Sequence, residues 1–195
     1  TVLAASPVEM KSCKDFCFLG KHSDILVDPE GGLGIDDVLS PEIASQFKPG
    51  RREVPKLVRS NATYWVRFHI RTSFDLHQEK WLVLDPHMVD AGLYRAMPDG
   101  PEKLYQTGSQ VPLLKRDIVN VRPIIPMHLA PNQFQTYYLK VRTPLGLLRL
   151  ELWSIKAFSQ RESLNQYLLG TWLGCMIVSF FFNLFVYSST VIFFP

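Results

Sequence analysis

The sequence predicts a mainly β protein, an antiparallel β-sandwich followed by a C-terminal transmembrane α-helix. The first observation is a series of short segments in which apolar and polar residues alternate, separated by turns that contain proline or glycine. The second is that residues 163–195 carry no charge, and that the apolar run 167–187 is long enough to cross a hydrocarbon core of roughly 30 Å. A folded domain joined directly to a membrane span is the organisation of a receptor or of a tethered surface module.

The chain has 195 residues, which predicts one domain in front of the span. That part, about 160 residues long, is large enough to bury a core without disulfide bonds. The formal charge of +3 is too small to indicate nucleic-acid binding, and we expect no nucleic-acid partner.

The two ends lie outside the predicted domain. Residues 1–19 form an N-terminal segment whose opening TVLAASP is typical of the small-residue end of a secretory signal peptide, although the basic and apolar regions that would precede it are absent. Residues 188–195 follow the span without a polar flank, which we interpret as a truncated tail.

Three cysteines give a limited redox argument. Cys13 and Cys17 lie close enough in the sequence for a local disulfide bond in an oxidising compartment. The sequence favours this bond and two unpaired thiols equally. Their spacing matches no usual zinc pattern. Cys175 lies in the span and is interpreted as a small apolar side chain.

The predicted elements begin with a short strand and turn within 24–34. Ser40, Pro41 and Glu42 then predict a short helix, with serine as the N-cap, proline in the first helical position and an acid in the first turn. The clearest strand is 63–71, where Tyr64 and the alternate residues after it face one side. Further strands are predicted at 80–84, 91–96, 123–129, 136–142 and 147–153.

The predicted sandwich ends at residue 154, and one continuous helix follows it. The connector 155–166 contains no helix breaker before the span 167–187. Such a helix either transmits a shift of the domain into the membrane or only holds the domain above the headgroups. Gly170, Gly174 and the polar Asn183 favour packing of the span against another helix, as in a homodimer or a related receptor.

Catalytic motifs are absent from the sequence. The five histidines are scattered, and no nucleophile elbow, phosphate-binding loop or dinucleotide-binding motif occurs. The pairs Asp28/Glu30 and Asp36/Asp37 lack the regular spacing of a calcium loop. We therefore expect no enzymatic activity, no metal and no cofactor.

The polar faces of three predicted strands contain the candidate binding residues. These are Trp65, Arg67 and His69 on the first strand, Tyr138 and Arg142 on the second, and Arg149 and Trp153 on the third. If the strands share a sheet, that face combines aromatic rings with guanidinium groups, a surface suited to a glycan or an anionic small ligand. The alternative is an ordinary solvated sheet face, with one tryptophan packed under a loop.

Five segments carry a resemblance to a known family: DPEGGLGIDDVLSPEIASQF at 28–47, NATYWVRFHI at 61–70, MVDAGLYRAMPDG at 88–100, APNQFQTYYLKVRT at 130–143 and LELWSIKAFSQRE at 150–162. The chain resembles the extracellular type-2 domain of bacterial seven-transmembrane receptors with diverse intracellular signalling modules, and FNLF at 182–185 is similar to the start of their first helix. The resemblance implies a jelly-roll-like sandwich related to carbohydrate-binding modules, located in the periplasm and anchored in the inner membrane. In this resemblance Tyr64, Trp65 and Arg67 match a YWxR-type strand, and the alternation of that strand predicts that Trp65 points outward.

The sequence thus predicts the ligand-sensing part of a membrane-bound signalling receptor, without its output domain. The main alternative is a protein-interaction module in which the same sheet face mediates receptor dimerisation and no small ligand exists. A membrane-anchored hydrolase is a third hypothesis, but no acid/base or metal site for it can be assembled from these residues.

Overall fold

The computed structural model describes residues 5–57, 62–73, 77–144 and 146–193. The chain divides into two units, Thr1–Ile155 and Lys156–Pro195. The described residues of the first unit form two β-sheets, called sheet A and sheet B below, which confirms the predicted β-sandwich.

Sheet A contains seven strands. They are β1 (Val8–Glu9), β3 (Ser23–Asp28), β4 (Lys48–Pro49), β5 (Thr63–Arg71), β7 (Asp90–Met97), β8 (Gly100–Thr107) and β10 (Phe134–Arg142). Six of them follow the order β4-β3-β5-β10-β7-β8 with antiparallel pairing, and β1 lies parallel to the end of β5. The central position of β5 and β10 explains their strong apolar alternation.

Sheet B contains four antiparallel strands in the order β2-β11-β6-β9. They are β2 (Phe16–Phe18), β6 (Gln78–Leu84), β9 (Ile124–Leu129) and β11 (Leu150–Ser154). Residues at alternate positions of both sheets share one buried apolar cluster, including Val66 and Leu139 of sheet A and Leu82 and Leu152 of sheet B. This main core lies between the sheets.

A second apolar cluster lies on the outer side of sheet A. Leu26, Trp65 and Tyr138 of the sheet pack there against Val38 and Phe47. The last two belong to residues 29–47, called the cover segment below, which contains helices α1 (Ile35–Leu39) and α2 (Pro41–Ala44). Helix α2 begins as predicted, with the Ser40 hydroxyl accepting a bond from the Ile43 amide at 3.5 Å.

Two charged side chains attach the cover segment to sheet A. The carboxylate of Asp28 accepts hydrogen bonds from the amides of Gly31 and Leu33, each 2.9 Å long. The Lys140 ammonium donates to the Leu33 carbonyl at 2.9 Å. Asp28 therefore organises a turn of the backbone.

The N-terminal segment 1–19 contributes β1 to sheet A and β2 to sheet B, where β2 pairs with β11. Cys13 and Cys17 form a disulfide bond, so the unpaired-thiol alternative is wrong. Inside this short loop the Asp15 carbonyl accepts a hydrogen bond from the Ser154 amide at 2.8 Å.

The buried Lys80 ammonium also contacts this loop. It donates to the Cys13 carbonyl at 3.2 Å and to the Lys14 carbonyl. Burial lowers the pKa of Lys80, and the negative charge of Asp15 acts in the opposite direction.

The second unit is the long helix α3 (Ile155–Phe193), which begins at the residue after β11. Among the described residues, α3 is the helix that is long and apolar enough to cross a membrane. Asn183 donates to the Ser179 carbonyl at 2.7 Å, one turn earlier. This bond satisfies one amide hydrogen of Asn183 within the helix itself.

Replacing Tyr137 with phenylalanine is expected to make the protein less sensitive to alkaline pH. Burial raises the pKa of Tyr137 to about 12, partly opposed by the charge of Arg95, whereas an unfolded tyrosine has a pKa of about 10. Between pH 10 and 12 the unfolded chain therefore loses a proton that the folded chain keeps, so the free energy of unfolding falls as the pH rises.

The limiting slope for one such tyrosine is about 1.4 kcal/mol per pH unit. Urea unfolding of the full chain in lipid nanodiscs between pH 9.5 and 11.5 measures it. The free energy of unfolding should fall less steeply with pH in Tyr137→Phe than in the wild type. Part of the fall should remain, because the pKa of Tyr105 is also raised to about 12. An unchanged slope would contradict the assignment.

Candidate functional site

The structure divides the predicted site residues between the two outer faces of the sandwich. Trp65, Arg67, His69, Tyr138 and Arg142 lie on β5 and β10 of sheet A. Arg149 and Trp153 lie beside or within β11, which pairs with β2 and β6 in sheet B. The condition that the three strands share a sheet is therefore not met, and the main core separates the two groups.

Trp65 points away from the main core, as its alternation with Tyr64 predicts. It is nevertheless 0% exposed, because the cover segment packs over its ring. The Lys140 ammonium lies 5.2 Å from the ring centre, and the ring of Tyr94 lies 5.6 Å away. A ligand can contact this indole only if the cover segment moves, so the solvated or ligand-stacking face predicted at this position is absent.

Arg67 forms a buried ion pair. Its Nε and Nη2 atoms donate to Oδ2 of Asp24 at 3.2 and 2.9 Å, and its guanidinium lies 4.6 Å from the ring centre of Phe47. The other oxygen of Asp24 accepts the Ala5 amide at 3.0 Å. The charge of Arg67 is thus neutralised by a residue of the same domain, and its role in this structure is to join β3, β5 and the cover segment.

The other residues of this group are held by neighbours to different extents. His69 Nδ1 lies 2.9 Å from the Thr136 hydroxyl, and its ring stacks on Phe134 with centres 5.4 Å apart. Burial and the nearby charge of Arg67 lower the pKa of His69, and the charge of Asp24 opposes this effect.

The two predicted residues on β10 differ in exposure. Tyr138 is buried, and its ring packs edge-to-face with Phe47, with ring centres 6.2 Å apart. Arg142, in contrast, is exposed at the end of β10.

On sheet B, the buried carboxylate of Glu151 organises the remaining predicted residues. Its Oε2 atom accepts bonds from Arg122 Nη2 at 2.8 Å and from Trp153 Nε1 at 3.0 Å. Arg149 Nε lies 3.9 Å from the other oxygen. The ring of Trp153 packs on Phe16 with centres 4.3 Å apart. These contacts satisfy the indole donor and the Arg122 charge within the domain.

A cavity that sequence reasoning did not find lies at the β3–β4 edge of sheet A. We call it the basic cavity; its volume is about 390 Å³. Most of its walls are apolar, and four basic side chains join them. The lining residues are Ile25, Val27, Lys48, Pro49, Gly50, Arg51, Arg52, Pro55, Lys56, Leu57 and Tyr64.

The four basic side chains of this cavity have no partners in the part of the chain that the structure describes. Lys48, Arg51, Arg52 and Lys56 form no ion pair and no side-chain hydrogen bond with a described residue, and no described acidic residue lines the cavity. The one acid in this stretch, Glu53, pairs instead with Lys21 at 3.2 Å. The cavity is therefore positively charged.

Backbone contacts fix the loop that carries these cations. The Gly50 amide donates to the Ser23 carbonyl at 2.7 Å, and the Leu57 amide to the Gly146 carbonyl at 2.8 Å. Gly20 and Gly50 allow the close approach, since a Cβ on Gly50 would lie 2.0 Å from the Gly20 carbonyl oxygen. The available sequence signal was the basic run KPGRREVPK at 48–56; its position beside a cavity depends on these long-range contacts.

Gly50→Ala is expected to displace this loop and to lower the free energy of unfolding by about 1–3 kcal/mol, the usual cost of a forced backbone shift. Thermal unfolding of the full chain measures the loss. Gly32→Ala is the matched control, because a Cβ on Gly32 meets no atom within 4 Å. Equal melting temperatures for the two variants would show that the close approach at Gly50 does not restrain the loop.

The described residues contain no group of three His, Cys, Asp or Glu side chains placed to hold a metal ion. The features that remain are a β-sandwich, a charged cavity at its edge and a helix of membrane-spanning length.

This combination is that of a membrane protein in which a folded β domain is joined to a membrane-spanning helix. The sequence profile of the 7TMR-DISM extracellular 2 family matches residues 20–154, and the chain belongs to that family. The resemblance found in the sequence is thereby confirmed. No curated protein matches the sequence significantly.

Proposed function

We propose that residues 20–154 are the periplasmic ligand-sensing domain of a signal-transduction receptor in the bacterial inner membrane. Family membership and the membrane-length helix support the receptor class. The observation that carries the sensing role is the basic cavity, because one of its walls is hydrogen-bonded to the segment that leads into β11 and α3.

The connection from the cavity to α3 is short. Residues 55–57 line the cavity and pair with residues 146–148. The Leu148 amide donates to the Pro55 carbonyl at 3.0 Å, and the Leu57 amide donates to the Gly146 carbonyl at 2.8 Å. Strand β11 begins at Leu150 and ends at Ser154, and α3 follows at Ile155. A ligand that binds one arrangement of 55–57 more tightly would therefore also favour one arrangement of the strand that enters α3.

Two ligand classes were predicted from the sequence, a glycan and an anionic small molecule. The buried ring of Trp65 offers no stacking surface for a sugar, whereas the unpartnered cations favour an anion. A carbohydrate ligand and the jelly-roll topology implied by the resemblance stay predictions.

The test of the sensing role uses the full chain in lipid nanodiscs and a panel of neutral sugars, sugar phosphates, carboxylates and alkyl phosphates. A ligand should raise the melting temperature and slow hydrogen exchange at both 55–57 and 146–154. Exchange that slows at the cavity alone would show binding without the connection. A panel in which no compound changes either observable would overturn the sensing role.

One observation favours the alternative, a protein-interaction module that mediates dimerisation. Arg116 donates to the backbone carbonyls of Gly108, Val111 and Asn120 and so holds the loop 108–122 in one shape. The loop exposes apolar side chains, with Leu114 88% and Val121 76% exposed. Trp65, proposed earlier for this role, is buried and cannot form such a surface.

Mass photometry of the full chain in nanodiscs tests dimerisation through this loop. Leu114→Ser combined with Val121→Ser should abolish a dimer, whereas Met97→Ser, which changes an exposed apolar residue elsewhere, should leave it intact. A monomer at every concentration, or a dimer that survives the double substitution, would exclude this loop as the interface.

A further inference from the structure

We propose that the basic cavity binds a small amphiphilic anion, a carboxylate or phosphate group joined to an apolar body. This inference rests on the proposed sensing function and specifies its ligand class. It follows from two properties of the same cavity, the set of unpartnered cations and the apolar wall beneath them.

The cations define the head group. Lys48, Arg51, Arg52 and Lys56 line a space of about 390 Å³, and no acidic residue is among its described lining residues. All four residues are exposed at the rim of this space, and their like charges favour an anion among them. The guanidinium fork binds carboxylate and phosphate oxygens in pairs, whereas the two lysines add point charges.

The apolar wall defines the rest of the ligand. Ile25, Val27 and Leu57 line the cavity, and Val27 is 49% exposed although it lies within strand β3. Burying such surface contributes roughly 25 cal/mol per Å². An inorganic anion leaves this wall in water, while a hydrocarbon or aromatic group covers it. The volume is within the range of about 300–1,000 Å³ that is typical of ligand pockets.

The same wall disfavours a neutral glycan. Sugars bind by stacking on exposed aromatic rings and by many hydrogen bonds to neutral polar groups. Tyr64 is the aromatic residue among the lining residues, and it is 1% exposed, with its ring in the main core. A neutral sugar would therefore leave four charges unpaired and find no ring to stack on.

Calorimetric titration of the full chain in phosphatidylcholine nanodiscs, corrected with empty nanodiscs, tests the proposal. The probes are hexyl phosphate, hexyl glucoside and inorganic phosphate. Hexyl phosphate should bind at least tenfold more tightly than either other probe, with an affinity that falls as the salt concentration rises. Equal or tighter binding of hexyl glucoside would overturn the inference, as would a failure of hexyl phosphate to bind.

Two double variants locate the site. Arg51→Gln/Arg52→Gln and, independently, Lys48→Gln/Lys56→Gln should each weaken hexyl phosphate binding at least tenfold without a change in melting temperature. Lys103→Gln/Lys115→Gln removes the same charge from other exposed positions and should bind as the wild type does. Equal weakening in all three would show a general charge effect and would exclude the basic cavity as the site.

The head group can belong to a free molecule or to an anionic lipid. Nanodiscs with phosphatidylglycerol distinguish the two, because a lipid head group in the cavity would compete with hexyl phosphate there. If the wild type binds hexyl phosphate equally well in phosphatidylglycerol and phosphatidylcholine nanodiscs, the natural head group belongs to a free molecule. If phosphatidylglycerol lowers the hexyl phosphate affinity of the wild type but not that of Arg51→Gln/Arg52→Gln, the head group belongs to the lipid. A neutral sugar that raises the melting temperature while hexyl phosphate fails to bind would refute the inference and leave the sensing function standing.

Discussion

Asp24→Ala is expected to lower the free energy of unfolding by about 3–5 kcal/mol, the usual loss when one partner of a buried ion pair is removed. Asp24 is 1% exposed, and its carboxylate accepts two bonds from Arg67 and one from the Ala5 amide. Without it the guanidinium of Arg67 stays between sheet A and Phe47 with no counter-charge. Urea unfolding of the full chain in nanodiscs measures the effect.

The matched control is an exposed pair whose arginine lies on β5, as Arg67 does. Arg71 and Glu9 are 3.1 Å apart with side chains 54% and 43% exposed, and Glu9→Ala should cost less than about 1 kcal/mol. The double variant Asp24→Ala/Arg67→Met removes both buried charges and should recover part of the loss. Similar losses for Asp24→Ala and Glu9→Ala would mean that the Asp24–Arg67 pair contributes no more than a surface pair.

Local signals predicted the central elements well. Strand β5 has the bounds that its alternation predicted, because its alternate residues Tyr64, Val66, Phe68 and Ile70 all lie in the main core. The cap at Ser40 and the start of α3 at Ile155 also agree with prediction, since a few adjacent residues determine each of them.

Strand β8 was missed for a physical reason. It lies at the edge of sheet A, and most of its side chains are exposed. A strand with little buried surface has no apolar alternation to detect, and its proline at residue 101 argues against a strand. The predicted strand 147–153 likewise begins later, at Leu150, because Leu147 pairs with Lys56 outside the sheets.

The candidate site depended on contacts that the sequence pattern does not contain. Alternation placed Trp65 and Trp153 away from the main core, which is right, but it could not assign their strands to different sheets. It also could not show that the cover segment, which ends 18 residues before Trp65 in the chain, packs on this residue. The basic cavity needs the same kind of information, since Gly20 and Ser23 position its loop.

Trp65→Ala is expected to destabilise the domain by about 3–5 kcal/mol, the range for a large aromatic residue removed from a core. The ring is fully buried between β5, β10 and the cover segment, and the Lys140 ammonium lies against it. Its loss leaves a cavity that Leu26 and Val38 cannot fill without moving the cover segment. Thermal and urea unfolding of the full chain should both show the loss.

Trp65→Phe separates packing from ligand contact. The indole Nε1 atom has no hydrogen-bond partner among the described residues, so phenylalanine keeps much of the packing and removes an unsatisfied donor. We expect Trp65→Phe to be considerably more stable than Trp65→Ala and to bind hexyl phosphate with wild-type affinity. If Trp65→Phe instead remains stable but loses binding of any sensed ligand, the indole contacts that ligand, and the cover segment must then open to admit it.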